Sequence, residues 1–306
     1  MMRYREKKNV GLMMVFIMGT MLMLSGCLDT TENDTVSVLV TIVPQEEMVS
    51  SIGGEFVDVT VLVPAGESPH SFEPTPYQMT KVATASAYFT VGSGVEFELT
   101  YMDTIIEQNP NLNVFDCSEN INVLSFDEHY GQNENHEENN DYHQEGTDPH
   151  IWTSPVNMKK MADIVYDGLI QIDPDHQQDY YANYMNYSAH LDFLHQNISA
   201  MLEPYQKNSF MVYHPAWGYF GDTYQLNMMA IEEEGKKPGP AGIAAIIDQA
   251  QNESINVIFV SPQFDTSSAE TIAAEINGEV AFANPLMTDY QQTLTNLAEA
   301  LVNGYS

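Results

Sequence analysis

The chain has few basic residues and few cysteines. Only ten of its 306 residues are lysine or arginine, against 43 aspartates and glutamates, which gives a formal net charge of −33 at pH 7. Such a chain offers no extended basic surface to the phosphates of DNA or RNA, so nucleic-acid binding is disfavoured. The His-Glu-x-x-His motif of many zinc hydrolases is also absent, and no general base is evident in the sequence.

The N-terminal 27 residues differ from the rest of the chain. A basic stretch comes first, with Arg3, Arg5, Lys7 and Lys8. The apolar run over 10–24 is too short for a comfortable membrane span and is typical of a signal peptide. Leu-Ser-Gly-Cys at 24–27 resembles the lipobox of secreted lipoproteins, so we expect cleavage before Cys27 and lipidation of Cys27. The alternative is an uncleaved anchor helix.

Both alternatives place the folded part of the protein outside the cytoplasm, at the cell surface or in the periplasm, and tether it to the membrane. Residues 28–35 are expected to form a short polar linker. A lipidated Cys27 leaves no partner for an internal disulfide. The apolar segment before Cys117 favours a buried, unreactive thiol at that position.

Cleavage would leave the mature chain still more acidic. It removes four of the ten basic residues and one of the 43 acidic residues, so six lysines face 42 acidic residues and the net charge becomes −36. This acidity has two interpretations. It is either a solvated surface suited to a salty medium, where ions screen the repulsion, or a means of concentrating cations. The spread of the charge over the whole chain favours the first.

Apolar runs alternate with helical segments along the chain and predict an α/β fold with parallel sheets. Residues 175–202 lack glycine and proline, and their apolar residues recur in steps of three and four, which is typical of one long helix. We therefore predict two Rossmann-like lobes, an N-terminal lobe at 36–173 and a C-terminal lobe at 204–306, joined by one long, rigid helix at 174–203. The predicted strands are 36–43, 56–63, 87–91, 113–116, 210–213, 226–231, 257–260 and 280–283.

Three histidines that each adjoin a proline are the candidates for a functional site: His70, His150 and His214. His70 and His214 follow predicted strands, and ligands bind outside the carboxyl ends of strands in open α/β sheets. His150 precedes a predicted helix. The fold would bring His70 and His150 to His214 across the cleft between the lobes. Neutral imidazole is a common ligand of zinc and other borderline metals, so we predict a metal site.

Residues 127–148 are acidic, rich in asparagine and almost free of aliphatic side chains, and they predict a surface loop that buries no core. His129, His136 and His143 lie in this loop. They either form an auxiliary metal-binding group or are incidental residues of a solvated segment.

The surroundings of the three proline-linked histidines resemble a known family. Residues 66–76 (GESPHSFEPTP), 148–152 (DPHIW) and 213–220 (YHPAWGYF) are similar to the signatures of the zinc/manganese-type substrate-binding lipoproteins of metal ABC transporters, the ZnuA/TroA-like family. Residues 284–286 (NPL) match the place where the family often has Asp-Pro-Leu. The resemblance covers residues 36–303. It implies the two-lobe cluster A-I solute-binding fold with its rigid connecting helix.

The resemblance implies that His70, His150 and His214 bind the metal. In manganese-type members an aspartate at the position of Asn284 completes the site. Asparagine is neutral and a weaker ligand, and its presence here favours zinc. Water, Asn284 itself or the nearby Glu67 could fill the fourth position.

The function that the resemblance implies is an extracytoplasmic, membrane-anchored binding protein. It would take up Zn²⁺ as cargo and deliver it to an ABC transporter permease and its ATPase, as a monomer that catalyses no reaction. The acidic loop resembles that of zinc-type members, where it is thought to hold extra metal. Manganese, iron or a chelate as the cargo is the main alternative. A zinc hydrolase is a second, since three histidines and an open water position can activate water, and surface adhesion is a further role of some family members.

Overall fold

Two four-stranded parallel sheets form the framework of the computed structural model, which describes residues 35–125, 146–232, 236–264 and 266–306. The first sheet has the order β2-β1-β3-β4 and the second the equivalent order β6-β5-β7-β8. The strands are β1 (Val36–Val40), β2 (Val57–Val61), β3 (Ala87–Thr90), β4 (Asn113–Asp116), β5 (Ser209–Val212), β6 (Asn227–Ala230), β7 (Val257–Val260) and β8 (Glu279–Phe282).

Helices connect the strands and cover the sheets. They are α1 (Val43–Gly53), α2 (Pro76–Val82), α3 (Glu96–Gln108), α4 (Pro155–Ile172), α5 (Gln177–Leu202), α6 (Gly218–Tyr224), α7 (Pro240–Asn252), α8 (Ser267–Glu275) and α9 (Tyr290–Tyr305). No helix among the described residues is both long and apolar enough to cross a membrane.

The central strands are apolar because helices pack on both faces of each sheet. β3, β5 and β7 are buried at every position, whereas the outer strands β2, β4, β6 and β8 are partly exposed. The predicted fold class, with two parallel sheets and a long helix, is confirmed. Cys117 directly follows β4 and is fully buried, and burial raises the pKa of its thiol well above its usual range, as expected for an unreactive cysteine.

The long helix α5 has 26 residues, which at 1.5 Å per residue spans about 39 Å. Its buried face follows steps of three and four, with Tyr180, Tyr187, Leu191, Leu194, Ile198 and Leu202. The helix packs against α1 and α4 from the N-terminal half of the chain and against α9 from the C-terminal half. One apolar cluster therefore contains residues of both halves, and residues 35–306 form one unit. The lobe boundaries at 173 and 204 stay a prediction.

A buried carboxylate holds the loop that follows β3. Glu98 on α3 accepts hydrogen bonds from the backbone N–H groups of Val91, at 2.6 Å, and Gly92, at 2.9 Å, and from the hydroxyl of Thr41. Burial raises the pKa of the Glu98 carboxyl although these donors lower it. Ser93, the next residue of the loop, donates a 2.5 Å hydrogen bond to the carbonyl of Pro149. The loop thereby supports the backbone beside His150.

We expect Gly92→Ala to destabilise the protein by about 3 kcal/mol. Gly92 has a φ of 82°, and a Cβ placed there would lie 1.7 Å from Oδ1 of Asp116, so this carboxylate would have to turn away and lose its hydrogen bonds from the N–H and the hydroxyl of Ser118. Gly66→Ala is the matched control, because Gly66 also has a positive φ, 91°, but has no atom within 4 Å of such a Cβ. The control should cost only about 1 kcal/mol for its backbone conformation. Denaturant unfolding measures both, and equal costs would contradict the role assigned to the close approach.

Candidate metal centre

His70, His150 and His214 meet in one cluster. Their ring centroids are 5.5 Å apart for His70 and His150, 5.1 Å for His70 and His214, and 5.2 Å for His150 and His214. One ring nitrogen of each lies within 4.8 Å of those of the other two. Among the described residues, this is the one group of three or more histidine, cysteine or acidic side chains placed to hold a metal ion. Nitrogens around tetrahedral zinc lie about 3.3 Å apart, so a bound ion would draw the rings together.

Each of the three histidines lies in a loop. Those of His70 and His214 follow the carboxyl ends of β2 and β5, and that of His150 precedes α4. His70 lies between β2 and α2, and Pro69 before it accepts a 3.0 Å hydrogen bond from the N–H of Phe97 on α3. His214 lies two residues after the end of β5, and the N–H of Tyr213, the residue before it, donates a hydrogen bond to the carbonyl of Phe259 in β7. The sheets therefore bring together residues that are far apart in the sequence.

A carboxylate contacts the Nδ1 atom of each histidine. Nδ1 of His70 lies 2.6 Å from Glu96, Nδ1 of His150 lies 2.7 Å from Asp148, and Nδ1 of His214 contacts Glu232. An ionised carboxylate only accepts hydrogen bonds, so Nδ1 carries the proton and Nε2 keeps its lone pair for a metal. Sequence reasoning missed Glu96 and Glu232 as partners.

The Nε2 atom of His214 is buried and has no hydrogen-bond partner among the described residues. A buried polar atom without a partner is costly, because it has lost water and gained nothing in return. A metal ion bound by this nitrogen removes that cost. This atom is therefore the observation that best fits the cluster to a metal.

Burial differs among the three histidines. The side chain of His70 is 26% exposed, whereas those of His214 and His150 are 14% and 4% exposed. His70 and its partner Glu96 thus lie at the solvent side of the cluster. Burial raises the pKa of the Glu96 carboxyl, but the hydrogen bond and charge of His70 outweigh that effect and leave the pKa lowered.

The backbone around His150 is held from several directions. The hydroxyl of Tyr219 donates to the carbonyl of Asp148 at 2.8 Å, the indole N–H of Trp152 donates to the carbonyl of Pro285 at 2.8 Å, and the hydroxyl of Tyr290 donates to the carbonyl of Trp152 at 2.7 Å. Asp148 also accepts from the backbone N–H of His150 at 2.9 Å. His150 is consequently fixed before any ligand binds.

The cluster faces a cavity of about 20 Å³, enough for an ion or one water molecule. Its lining residues include the three histidines with Trp152, Ser261, Gln263, Phe264, Pro285 and Leu286. Neither Glu67 nor Asn284 lines it, and Glu67 is exposed. Oδ1 of Asn284 already accepts hydrogen bonds from the N–H of Leu286 and from Nε2 of Gln263, both at 3.0 Å. The fourth ligand stays a prediction.

Other predicted residues lie outside the cluster. Cys27 and the loop histidines His129, His136 and His143 fall outside the described residues, as do the signal peptide and most of the acidic loop. Of the histidines on or near α5, His190 is exposed. His176 stacks on Phe56 with centroids 3.9 Å apart, and His195 stacks on Tyr224 with centroids 5.6 Å apart.

Residues 38–304 match the family described as zinc-uptake complex component A, periplasmic. The manganese-binding lipoprotein MntA of Halalkalibacterium halodurans is 25% identical over 77% of this chain and 74% of its own length. The high-affinity zinc uptake system protein ZnuA of Bacillus subtilis is 27% identical over 84% of this chain and 80% of its own. A crystal structure of a ZnuA deletion mutant with zinc bound is 33% identical, with a TM-score of 0.79 over 89% of this chain and 99% of that one.

Burial of His150 predicts a pH-dependent stability for the metal-free protein. Burial lowers the pKa of His150 to about 4, although Asp148 raises it, and His214 and His70 lower it further. The unfolded chain, with a pKa near 6.5, then binds more protons than the folded protein, so stability is lost as the pH falls from about 6.5 towards 4. Between pH 7 and pH 5 we expect His150 to account for a loss of about 2 kcal/mol.

Denaturant unfolding of the metal-free protein at the two pH values measures this loss. In His150→Gln, which has no titrating group at this position, the difference between the two pH values should shrink by about 2 kcal/mol. The same pH dependence in both proteins would contradict the assignment to His150.

Proposed function

This chain belongs to the zinc-uptake complex component A family, and from that premise we propose that it captures Zn²⁺ outside the cytoplasm with His70, His150 and His214. The family is one of non-enzymatic solute-binding proteins, so the chain is a metal-uptake binding protein with a three-histidine site. The metal is its cargo. The zinc hydrolase alternative is thereby set aside.

The observation that carries the ligand assignment is the buried Nε2 of His214, which has no hydrogen-bond partner in the described part of the chain. His70 and His150 surround the same cavity, and a carboxylate on each Nδ1 directs the Nε2 lone pairs away from those partners. Histidines oriented in this way by carboxylates are typical of protein zinc sites. Metal binding by neutral imidazole needs no further proton release from these nitrogens.

Zinc rather than manganese is the cargo that the donor set favours. The three donors are neutral nitrogens, and the acidic residues beside them are engaged with Nδ1 atoms instead of the cavity. Manganese binds nitrogen ligands most weakly in the divalent series and is suited by oxygen ligands. Manganese remains the second candidate, because one relative is named for manganese binding.

Members of the family are described as components of a zinc-uptake complex. We propose that this chain's partners there are an ABC permease and the associated ATPase, and that the chain acts as a monomer. A lipid on Cys27 would anchor it outside the cytoplasm. The loop with His129, His136 and His143 would supply additional, weaker metal binding.

Replacing any of the three ligands by alanine should lower zinc affinity at least about 100-fold, because each supplies one of few direct bonds to the ion. Zinc titration into the metal-free protein, with a competing chelator, measures the affinity. The matched control is His190→Ala, since His190 is exposed on α5, outside the cavity. Unchanged tight binding in two of the three variants, or an equal loss in the control, would sink the ligand assignment.

Asp148→Asn should lower zinc affinity about 10- to 100-fold without removing a ligand. Asp148 contacts both Nδ1 and the backbone N–H of His150, and an amide holds the ring less firmly and adds no negative charge. The same zinc competition assay measures the effect, and circular dichroism confirms the fold. Wild-type affinity in this variant would show that the carboxylate does not orient the ligand.

A further inference from the structure

A neutral network of three side chains, Ser261, Gln263 and Asn284, lies beside the histidine cluster. Ser261 directly follows β7 and is 6% exposed, and it lines the metal cavity together with Gln263. Asn284 does not line the cavity, although the next two residues do. Asn284 is thus set back from the cavity, and it is hydrogen-bonded to Gln263, which does line it.

Both ends of the Asn284 amide are already engaged. Its Oδ1 accepts from Nε2 of Gln263 and from the N–H of Leu286, each at 3.0 Å, and its Nδ2 donates to the carbonyl of Leu286 at 3.1 Å. An aspartate here would lose the donor and place a second acceptor against that carbonyl. Asn284 is therefore a positioning residue whose hydrogen bond fixes one end of Gln263.

Fixing Nε2 of Gln263 leaves Oε1 as the acceptor end of its amide. The hydroxyl of Ser261 lies within hydrogen-bonding distance of this oxygen and also 3.4 Å from Oδ1 of Asn284, and it has one proton to donate. An amide oxygen has two lone pairs, so the hydrogen bonds among the described residues leave at least one acceptor position on Oε1. Gln263 shares its cavity with all three histidines. We propose that Gln263 supplies the fourth, neutral oxygen of the site, directly or through one water, and sets the preference for zinc over manganese; this rests on the proposed function.

The charge of this oxygen decides the preference. Three imidazoles and a neutral oxygen leave the full charge of the ion uncompensated by any direct ligand. Zinc tolerates this because its bonds to nitrogen are strong, whereas manganese is the weakest binder of the series and depends more on anionic oxygen. A carboxylate at Gln263, and not at Asn284, should therefore shift the site towards manganese.

The test measures the ratio of Mn²⁺ to Zn²⁺ affinity on metal-free full-length protein, with each ion titrated alone against a competing chelator. Gln263→Glu should raise this ratio about tenfold or more. Gln178→Glu is the control, because it adds the same charge on the exposed surface of α5. It should leave the ratio within about twofold of wild type.

Asn284→Asp separates the two candidate positions. We expect it to raise the ratio far less than Gln263→Glu. A ratio for Gln263→Glu within twofold of wild type, or an equal or larger rise in Asn284→Asp, would overturn the proposal. Gln263→Ala keeps the test decisive if the glutamate variant does not fold: its zinc affinity should fall about tenfold, and unchanged affinity would count against Gln263.

The outcome for the wild type distinguishes this proposal from the function on which it rests. A wild-type protein that binds neither ion stoichiometrically would overturn the proposed function and this inference with it. Tight zinc binding by the wild type, with no response to either Gln263 variant, would overturn the role of Gln263 alone.

Discussion

The hydrogen bond between a carboxylate and the Nδ1 atom of a histidine is the interaction on which the metal centre depends. It occurs three times, with Glu96, Asp148 and Glu232 as the acceptors. Each bond fixes a ring and a tautomer, and so turns an imidazole that could bind at either nitrogen into one that presents Nε2. A group of three histidines without these partners would have several competing arrangements.

The rest of the fold places the members of these pairs. Glu96 begins α3, between β3 and β4 of the first sheet, and Glu232 lies in the loop after β6 of the second sheet. The segment around His150 lies where both halves of the chain meet, because Ser93 contacts it from the first half and Tyr219 and Tyr290 from the second. The long helix α5 packs against helices of both halves. Hydrogen bonds from both halves hold the segment that carries His150 in place.

This arrangement has a cost in the metal-free protein. His150 is buried with a pKa lowered to about 4, and Nε2 of His214 is buried without a hydrogen-bond partner among the described residues. Both features lower the free energy of unfolding of the metal-free protein, and metal binding can offset that loss. The acidic surface of the chain favours the approach of cations, but its charge is screened by salt and selects no particular ion. On the proposal made above, selection would depend on the three histidines and on the neutral side chains of Gln263 and Asn284 beside them.

The fold class, the long helix and the three histidines could be predicted from the amino-acid sequence. These rest on local signals: the alternation of strands and helices, apolar steps of three and four, and histidines beside prolines at the ends of strands. The sequence did not reveal the partners of those histidines, because Glu96 and Glu232 lie 26 and 18 residues away from them and carry no motif. The hydrogen bond between Gln263 and Asn284 could be recognised only in the folded protein, since both residues lie in loops whose relative position depends on how β7 and β8 pair. Local periodicity specifies an element, whereas the direction of a side chain in a site is set by the packing of distant segments.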